Sequence, residues 1–273
     1  MLALARGLYF CATLLLFGSS AFTFLLRTRL PMILPLRDAP LRWALLLLAL
    51  ITGSAWLGLA AAAMADAMDS QVVMTTATDT LFGQFFLGRI AALLGIGLLL
   101  ALRRGKSLIV LLSALALLLP AATSHAAAAS PAGFAAIGAI TDAVHLLTAG
   151  FWIGGLAVLL LLFRRAEPNM LLALSLFSDW AMVAVLLLVM TGLINGASIL
   201  LGQEGKASLL YLAALGVKLV LVAGMIGLAV VNRFRLMPKD QETPIARHAA
   251  MELTAGLVVV LVAGLLGQLQ PLQ

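Results

Sequence analysis

Residues 134–163 read FAAIGAITDAVHLLTAGFWIGGLAVLLLLF, and Asp142 and His145 are the only titratable side chains among them. A run this long and this apolar has one home, the interior of a lipid bilayer, where a spanning helix needs about 20 such residues. No water reaches the hydrocarbon core, so every backbone N–H and C=O must be paired within the segment, which makes the run a helix. At 1.5 Å per residue it is about 45 Å long, against a hydrocarbon thickness of ~30 Å. One end therefore has length to spare, and Asp142 and His145 lie toward that end.

Seven more runs of the same kind fall at about 8–26, 41–64, 82–102, 107–123, 171–201, 209–231 and 249–269. The composition agrees: 63% of the 273 residues are apolar and 10% are charged, with a mean hydropathy of +1.15. A soluble domain carries roughly 25% charged residues. This excludes a soluble enzyme, a disordered chain and a collagenous one, and no polar stretch of ~50 residues is present to build an extramembrane domain. The alternating ten-residue segments of a membrane β-barrel are absent as well. The expected fold is all-α: a polytopic bundle of eight transmembrane helices forming one membrane domain over residues 1–273.

The connecting segments alternate in charge. Arg27, Arg29, Arg37 and Arg42 follow the first run, while Asp66, Asp69 and Asp79 occupy the next connection without a base. Arg103, Arg104 and Lys106 follow, then an uncharged segment, then Arg164 and Arg165, then a segment with one base, Lys206, then Arg233, Arg235, Lys239 and Arg247. Basic segments stay in the cytoplasm. Every second connection is thus cytoplasmic and both termini are periplasmic, as an even number of crossings requires. The first run resembles a signal peptide, with Arg6 ahead of it, but its length and the closing Arg27 and Arg29 favour a retained helix. The net charge of +6 is a topology signal here and does not point to nucleic acid.

A lone cysteine, Cys11, excludes an internal disulfide and a cysteine metal cluster. No phosphate-binding loop is present, which excludes pumping driven by ATP, and no nucleophile–histidine arrangement suggests an enzyme. The informative residues are polar ones inside apolar runs, because they are costly there and face the bundle interior. These are Arg89, Asp142, His145, Asp179, Asn195, Lys218 and Glu252. Asp142 and His145, three apart, share a helix face, so the carboxylate can orient the imidazole as it does in many metal sites. Trp152 follows on the same side. The plainer alternative is an imidazole hydrogen-bonded within the bundle. Arg89 either snorkels to the outer interface or pairs with Asp142, and the cost of each charge alone in lipid favours the pair. Lys218, near mid-span, is expected to be paired internally. Glu252 opens the last run, either as an interfacial carboxylate favoured by the helix dipole or as a coupling group.

His125 lies at the outer end of the fourth run. Met64 and Met68, four apart, flank Asp66 on the same side. Thioethers favour Cu(I), whereas imidazole suits Cu(II) and zinc. His125, His145, Met64 and Met68 are therefore candidate metal ligands, against the plain reading of a loop histidine and apolar filler.

The run Asp142-Ala-Val-His-Leu-Leu-Thr-Ala-Gly-Phe-Trp152-Ile-Gly-Gly-Leu resembles the CopD copper-resistance membrane proteins. So do Thr191-Gly-Leu-Ile-Asn195, Leu215-Gly-Val-Lys218, Asn232-Arg-Phe-Arg-Leu-Met-Pro238, the last helix with Arg247 and Glu252, Thr80-Leu-Phe-Gly-Gln-Phe-Phe-Leu-Gly-Arg89, and Ser124-His125-Ala. The resemblance implies an eight-helix bacterial inner-membrane protein of copper uptake or tolerance. It would work with a separate CopC-type periplasmic copper-binding protein, with His125, His145 and Glu252 at recurring positions. Thr-Ser-His around His125 departs from a more usual Gly-His.

Three functions compete. The first is a permease, in which copper ions pass from Met64, Met68 and His125 to His145 and down between helices. The second is a redox protein holding b-type haem between His125 and His145, although His125 at a helix end is a poor axial ligand and His248 has no partner for a second haem. Haem is accordingly not expected. The third is a docking or sensing protein for the periplasmic carrier that transports nothing.

Overall fold

The computed structural model describes residues 1–33, 39–65, 69–119, 135–201 and 208–269. Every secondary-structure element among the described residues is a helix or a helical turn. In chain order the helices are α1 (Leu2–Arg29), α2 (Ala39–Ala65), α3 (Ser70–Asp79), α4 (Leu81–Ala101), α5 (Lys106–Leu118), α6 (Ala135–Arg164), α7 (Met170–Leu201), α8 (Leu209–Val231) and α9 (Glu242–Leu266). A π-helical turn, Asn232–Leu236, and a 3-10 turn, Met237–Lys239, join α8 to α9. Pro238 withholds a backbone N–H there, so α8 cannot continue.

Seven helices are long and apolar enough to cross a membrane: α1, α2, α4, α6, α7, α8 and α9. The fourth expected span begins as α5, whose 13 residues make a shorter apolar helix, and its continuation lies outside the described residues. Two elements differ from the sequence reading. Residues 70–79, expected as connection, form α3, which lies against the start of α4. A Cβ on Gly83 would overlap the Thr76 carbonyl, so only glycine permits this approach. Thr80 fixes the corner: its hydroxyl donates to the Thr76 carbonyl at 2.6 Å and accepts the Gly83 N–H at 3.0 Å. The last helix also starts at Glu242, seven residues before the apolar run at 249. Pro244 is in its first turn, where a missing N–H costs no helical bond, and Glu242 suits the positive end of the dipole.

α1 is the central helix. In its apolar window 67% of residues are buried, against 11% for the span containing α8, so α1 is enclosed by protein and α8 is left to lipid. α1 packs on α2, α5, α6 and α9. On one side Tyr9, Leu16, Leu46, Trp56, Phe86 and Leu93 form a core from α1, α2 and α4. On the other, Phe22, Trp152, Leu159, Phe177 and Met225 join α1 to α6, α7 and α8. Where α1 crosses α6 the backbones touch. A Cβ on Gly18 would overlap the Gly150 carbonyl, and one on Gly154 would stand 2.5 Å from Gly18 Cα. The Gly150–Gly154 spacing read from the sequence is this contact, a close approach that only small residues allow. At one end of the bundle Arg6 Nη1 donates to the Gly267 carbonyl at 2.7 Å, so the start of α1 and the end of α9 meet.

Candidate functional site

Two polar stations interrupt the apolar interior of α6–α9. The first lies near the Arg6–Gly267 end of the bundle. His145 Nδ1 is 3.1 Å from Thr191 Oγ1 on α7. The Thr191 hydroxyl donates its proton to the Leu187 carbonyl at 2.7 Å, so toward the imidazole its oxygen is an acceptor. Nδ1 therefore carries the proton, and Nε2 keeps the lone pair that a metal would use. Gly192 makes room for the ring: a Cβ there would stand 3.2 Å from Cε1 of His145. One turn further, Asn195 accepts the Thr141 hydroxyl at 2.7 Å and directs its amide toward Asp142 Oδ1 at 3.5 Å. Lys218 of α8 is within electrostatic reach of both Asp142 and His145.

The second station lies near the opposite end. Glu252 of α9 is 2% exposed. Asn232, in the π-helical turn, donates to Glu252 Oε1 at 2.9 Å, and its carbonyl oxygen is 2.8 Å from His248 Nδ1. With the amide NH2 turned to Glu252, the oxygen accepts from Nδ1–H of His248, so Nε2 is the ring nitrogen not engaged by Asn232. The Trp152 indole also faces the carboxylate. A cavity of about 140 Å³ opens beside them, lined by Trp152, Met182, Phe177, Asn232, Met237 and Glu252 among others. Arg233 holds its rim, donating to Ser178 at 2.7 Å and to Asp179 at 2.9 Å. The station stands between α7, which packs mainly on α6, and α8, which packs mainly on α9.

Several expectations change. Asp142 does not orient His145; Thr191 does, because the imidazole turns across to α7. No ion pair joins Arg89 and Asp142 among the described residues. Arg89 instead lies over Trp56, 5.3 Å from the ring centroid. Glu252 does not open the last helix but is ten residues into it, since α9 begins at Glu242. Met64 is 62% exposed on α2, whose main neighbours are α1, α3 and α4, whereas His145 is on α6, among α1, α5, α7 and α9. Met68 and His125 lie outside the described residues. Among those described, no group of three or more His, Cys, Asp or Glu side chains is placed to hold a metal.

A family model described as copper resistance protein D-like, N-terminal domain, matches residues 1–135, and one described as copper resistance protein D matches residues 171–266. The chain belongs to the copper resistance protein D family. Among curated relatives, the copper transport protein CutJ of Bacillus subtilis (strain 168) is 34% identical over 152 residues. That match takes in 54% of this chain and 27% of the relative, so the chain spans well under two thirds of that protein's length. No solved structure matches.

In this family member the second matched segment carries Thr191, Asn195, Asn232 and Glu252, while Asp142, His145 and Trp152 stand on α6, between the two segments. Thr191 and Asn232 are the site residues that sequence reasoning missed, and Trp152 was placed only on the His145 face. Both missed residues appear within a quoted motif, but neither titrates, and a search for charges inside apolar runs passes over them. What would have found Asn232 is its place at the end of an apolar run, sixteen residues before His248.

Proposed function

We propose that the chain is a copper permease of the bacterial inner membrane, with eight crossings and both termini periplasmic, taking copper from a separate CopC-type periplasmic carrier. The observation that carries this reading is the pair of polar stations between α7 and α8. Each offers a carboxylate and an imidazole whose Nδ1–H is already committed to a neighbour. Each imidazole thus has Nε2 as the nitrogen left to meet an incoming ion. A charged side chain at mid-membrane costs about 2.5–3.5 kcal/mol, so Asp142, Lys218 and Glu252 are expensive unless a cation path uses them.

The alternating basic connections support a His145 station toward the periplasm and a Glu252 station toward the cytoplasm. The Arg6–Gly267 contact supports an even number of crossings, with the α5 segment as the eighth. Copper is the substrate. His145 and Asp142 receive it, Lys218 serves as the resident counter-cation of Asp142 until it arrives, and Glu252 with His248 lies on the route out. Trp152, two turns below His145 on α6, separates the stations. Met64, Met68 and His125 gather copper at the periplasmic surface. The chain needs no enzymatic step for this.

The test is copper accumulation in cells expressing equal amounts of each variant, together with copper uptake into proteoliposomes. His145→Ala abolishes both while the protein still inserts, His125→Ala lowers accumulation mainly at low copper, and Met64→Leu with Met68→Leu does the same if Cu(I) is carried. Normal accumulation in His145→Ala removes the residue from the path. Proteoliposomes that take up no copper leave a docking protein.

A further inference from the structure

We propose that Tyr9, Arg89 and Arg6 hold one small monovalent anion of the halide class, inside the layer formed by α1, α2 and α4. The starting observation is a set of buried donors that meet no acceptor. Arg89 is 1% exposed and Tyr9 0%, yet among the described residues Nε and Nη1 of Arg89, the Tyr9 hydroxyl and Nε of Arg6 have no hydrogen-bond partner. All belong to one cluster. Arg89 lies 5.3 Å from the Trp56 ring centroid and 5.6 Å from that of Phe86. Arg6 lies 5.7 Å from the same Trp56 ring and 5.9 Å from Phe10. Tyr9 packs on both Trp56 and Phe86.

Ring faces attract guanidinium ions but accept none of their in-plane N–H bonds. A buried donor without a partner costs about 1–3 kcal/mol, and more when charged. Such groups in a native fold mark a water or ion that completes them. Charge decides between the two. Arg6 has Asp142 within electrostatic reach and the Gly267 carbonyl on Nη1. The electrostatic neighbours of Arg89 are Tyr9 and Arg6, a phenol and a second cation. Asp142 is shared between Arg6 and Lys218, and among the described residues no carboxylate neighbours Arg89, so the cluster carries excess positive charge, which calls for an anion and not a neutral water.

Size and chemistry narrow the occupant. Beside Arg89 and Tyr9, at 1% and 0% exposure, there is no access for a carboxylate carried by another protein or for a polyvalent oxyanion with its larger shell, and Arg6 stands at the partly exposed edge of the cluster. A halide accepts N–H and O–H donors from any direction and tolerates the positive edges of aromatic rings. The three donors are not residues of the copper path, and the chloride readout needs no copper, so the inference can fail while the permease reading holds.

The probe is chloride, added to the purified full-length protein in detergent and a methanesulfonate buffer, and read by the chloride NMR line width. The expected result is saturable broadening that iodide reverses. Tyr9→Phe, which keeps the ring and removes only the hydroxyl, weakens it about tenfold, Arg89→Leu abolishes it, and Arg235→Leu at the basic end leaves it unchanged. Absence of saturable broadening in the parent protein overturns the proposal, as does equal affinity in Tyr9→Phe. The Tyr9→Phe comparison decides the matter even where Arg89→Leu fails to fold.

Discussion

Thr191 Oγ1 stands 3.1 Å from Nδ1 of His145 while its own proton is committed to Leu187. The hydroxyl is therefore a one-way partner: it accepts from the ring and cannot donate to it. Removing it frees the imidazole to rotate and to take the other tautomer. Partners of this kind are worth roughly 10–100-fold in metal affinity. Thr191→Val should lower copper accumulation by about tenfold, whereas Thr191→Ser, which keeps the oxygen, should stay near the parent. Equal accumulation in all three would mean that Thr191 does not set the ring.

Gly192, next to Thr191 on α7, bears on the same imidazole. An added Cβ reaches 3.2 Å from Cε1, a contact the ring can relieve by a small shift. The branched γ carbons of valine cannot be relieved that way, because interiors are close-packed. Gly192→Ala should keep most copper accumulation and Gly192→Val should lose it, with both proteins inserted. Gly216→Val on α8, where nothing stands within 4 Å of the new Cβ, is the matched control, and a loss there equal to that of Gly192→Val would point to a general helix effect.

Asn232 is bonded on both sides, to Glu252 and to His248. Asn232→Leu takes one of its donors from a buried carboxylate and the acceptor from an imidazole N–H, at a cost of about 1–3 kcal/mol. Its thermal unfolding midpoint in detergent should fall by several degrees. Asn232→Leu combined with Glu252→Leu should recover part of that loss, because both ends of the bond are then apolar. A double variant less stable than the single one would place the Asn232 contribution elsewhere.

Span positions were legible in the sequence because lipid imposes one rule on every long apolar run. The ends of α8 coincide with the run at 209–231, and α6 and α7 lie within one residue of theirs. Elements outside the lipid follow no such rule, and there the reading failed. α3 is too short and too polar to register, and the first turns of α9 look like loop because Glu242, Pro244 and Arg247 precede the apolar run. In the site, the residue types were legible but the pairings were not. Asp142 and His145 share a face of α6, yet each finds its partner on α7, and no spacing along one helix reveals which neighbour it packs against. Arg89 shows the same limit: its charge was expected to seek a carboxylate, and it lies on Trp56 instead.

The topology can be checked directly. Reporters fused after Arg29, Arg104, Arg165 and Lys239 should be active only as cytoplasmic fusions, and a reporter at Gln273 only as a periplasmic one, because basic connections are retained inside. A cytoplasmic Gln273 would mean that the α5 segment does not cross, and it would move the His145 station to the other side of the membrane.

The crossing of α1 and α6 gives the sharpest stability test. Gly154 faces α1 so closely that an added Cβ would overlap the Ser19 backbone nitrogen, with Gly18 Cα 2.5 Å away. These are backbone atoms, so no side chain can swing aside, and the helices must separate along their whole contact. In a membrane the packing of helix on helix is itself the main source of association, since lipid tails are as apolar as leucine. Gly154→Ala should therefore lower the unfolding midpoint strongly, by an amount typical of an overpacked core, about 1–3 kcal/mol or more. Gly216→Ala meets nothing within 4 Å and should stabilise α8 slightly, because glycine in a helix interior is about 0.8–1.0 kcal/mol worse than alanine. The two substitutions add the same methyl group to two apolar helices, so composition predicts equal effects and the contact predicts opposite ones. A Gly154→Ala protein as stable as the parent would mean that α1 and α6 do not meet at this crossing.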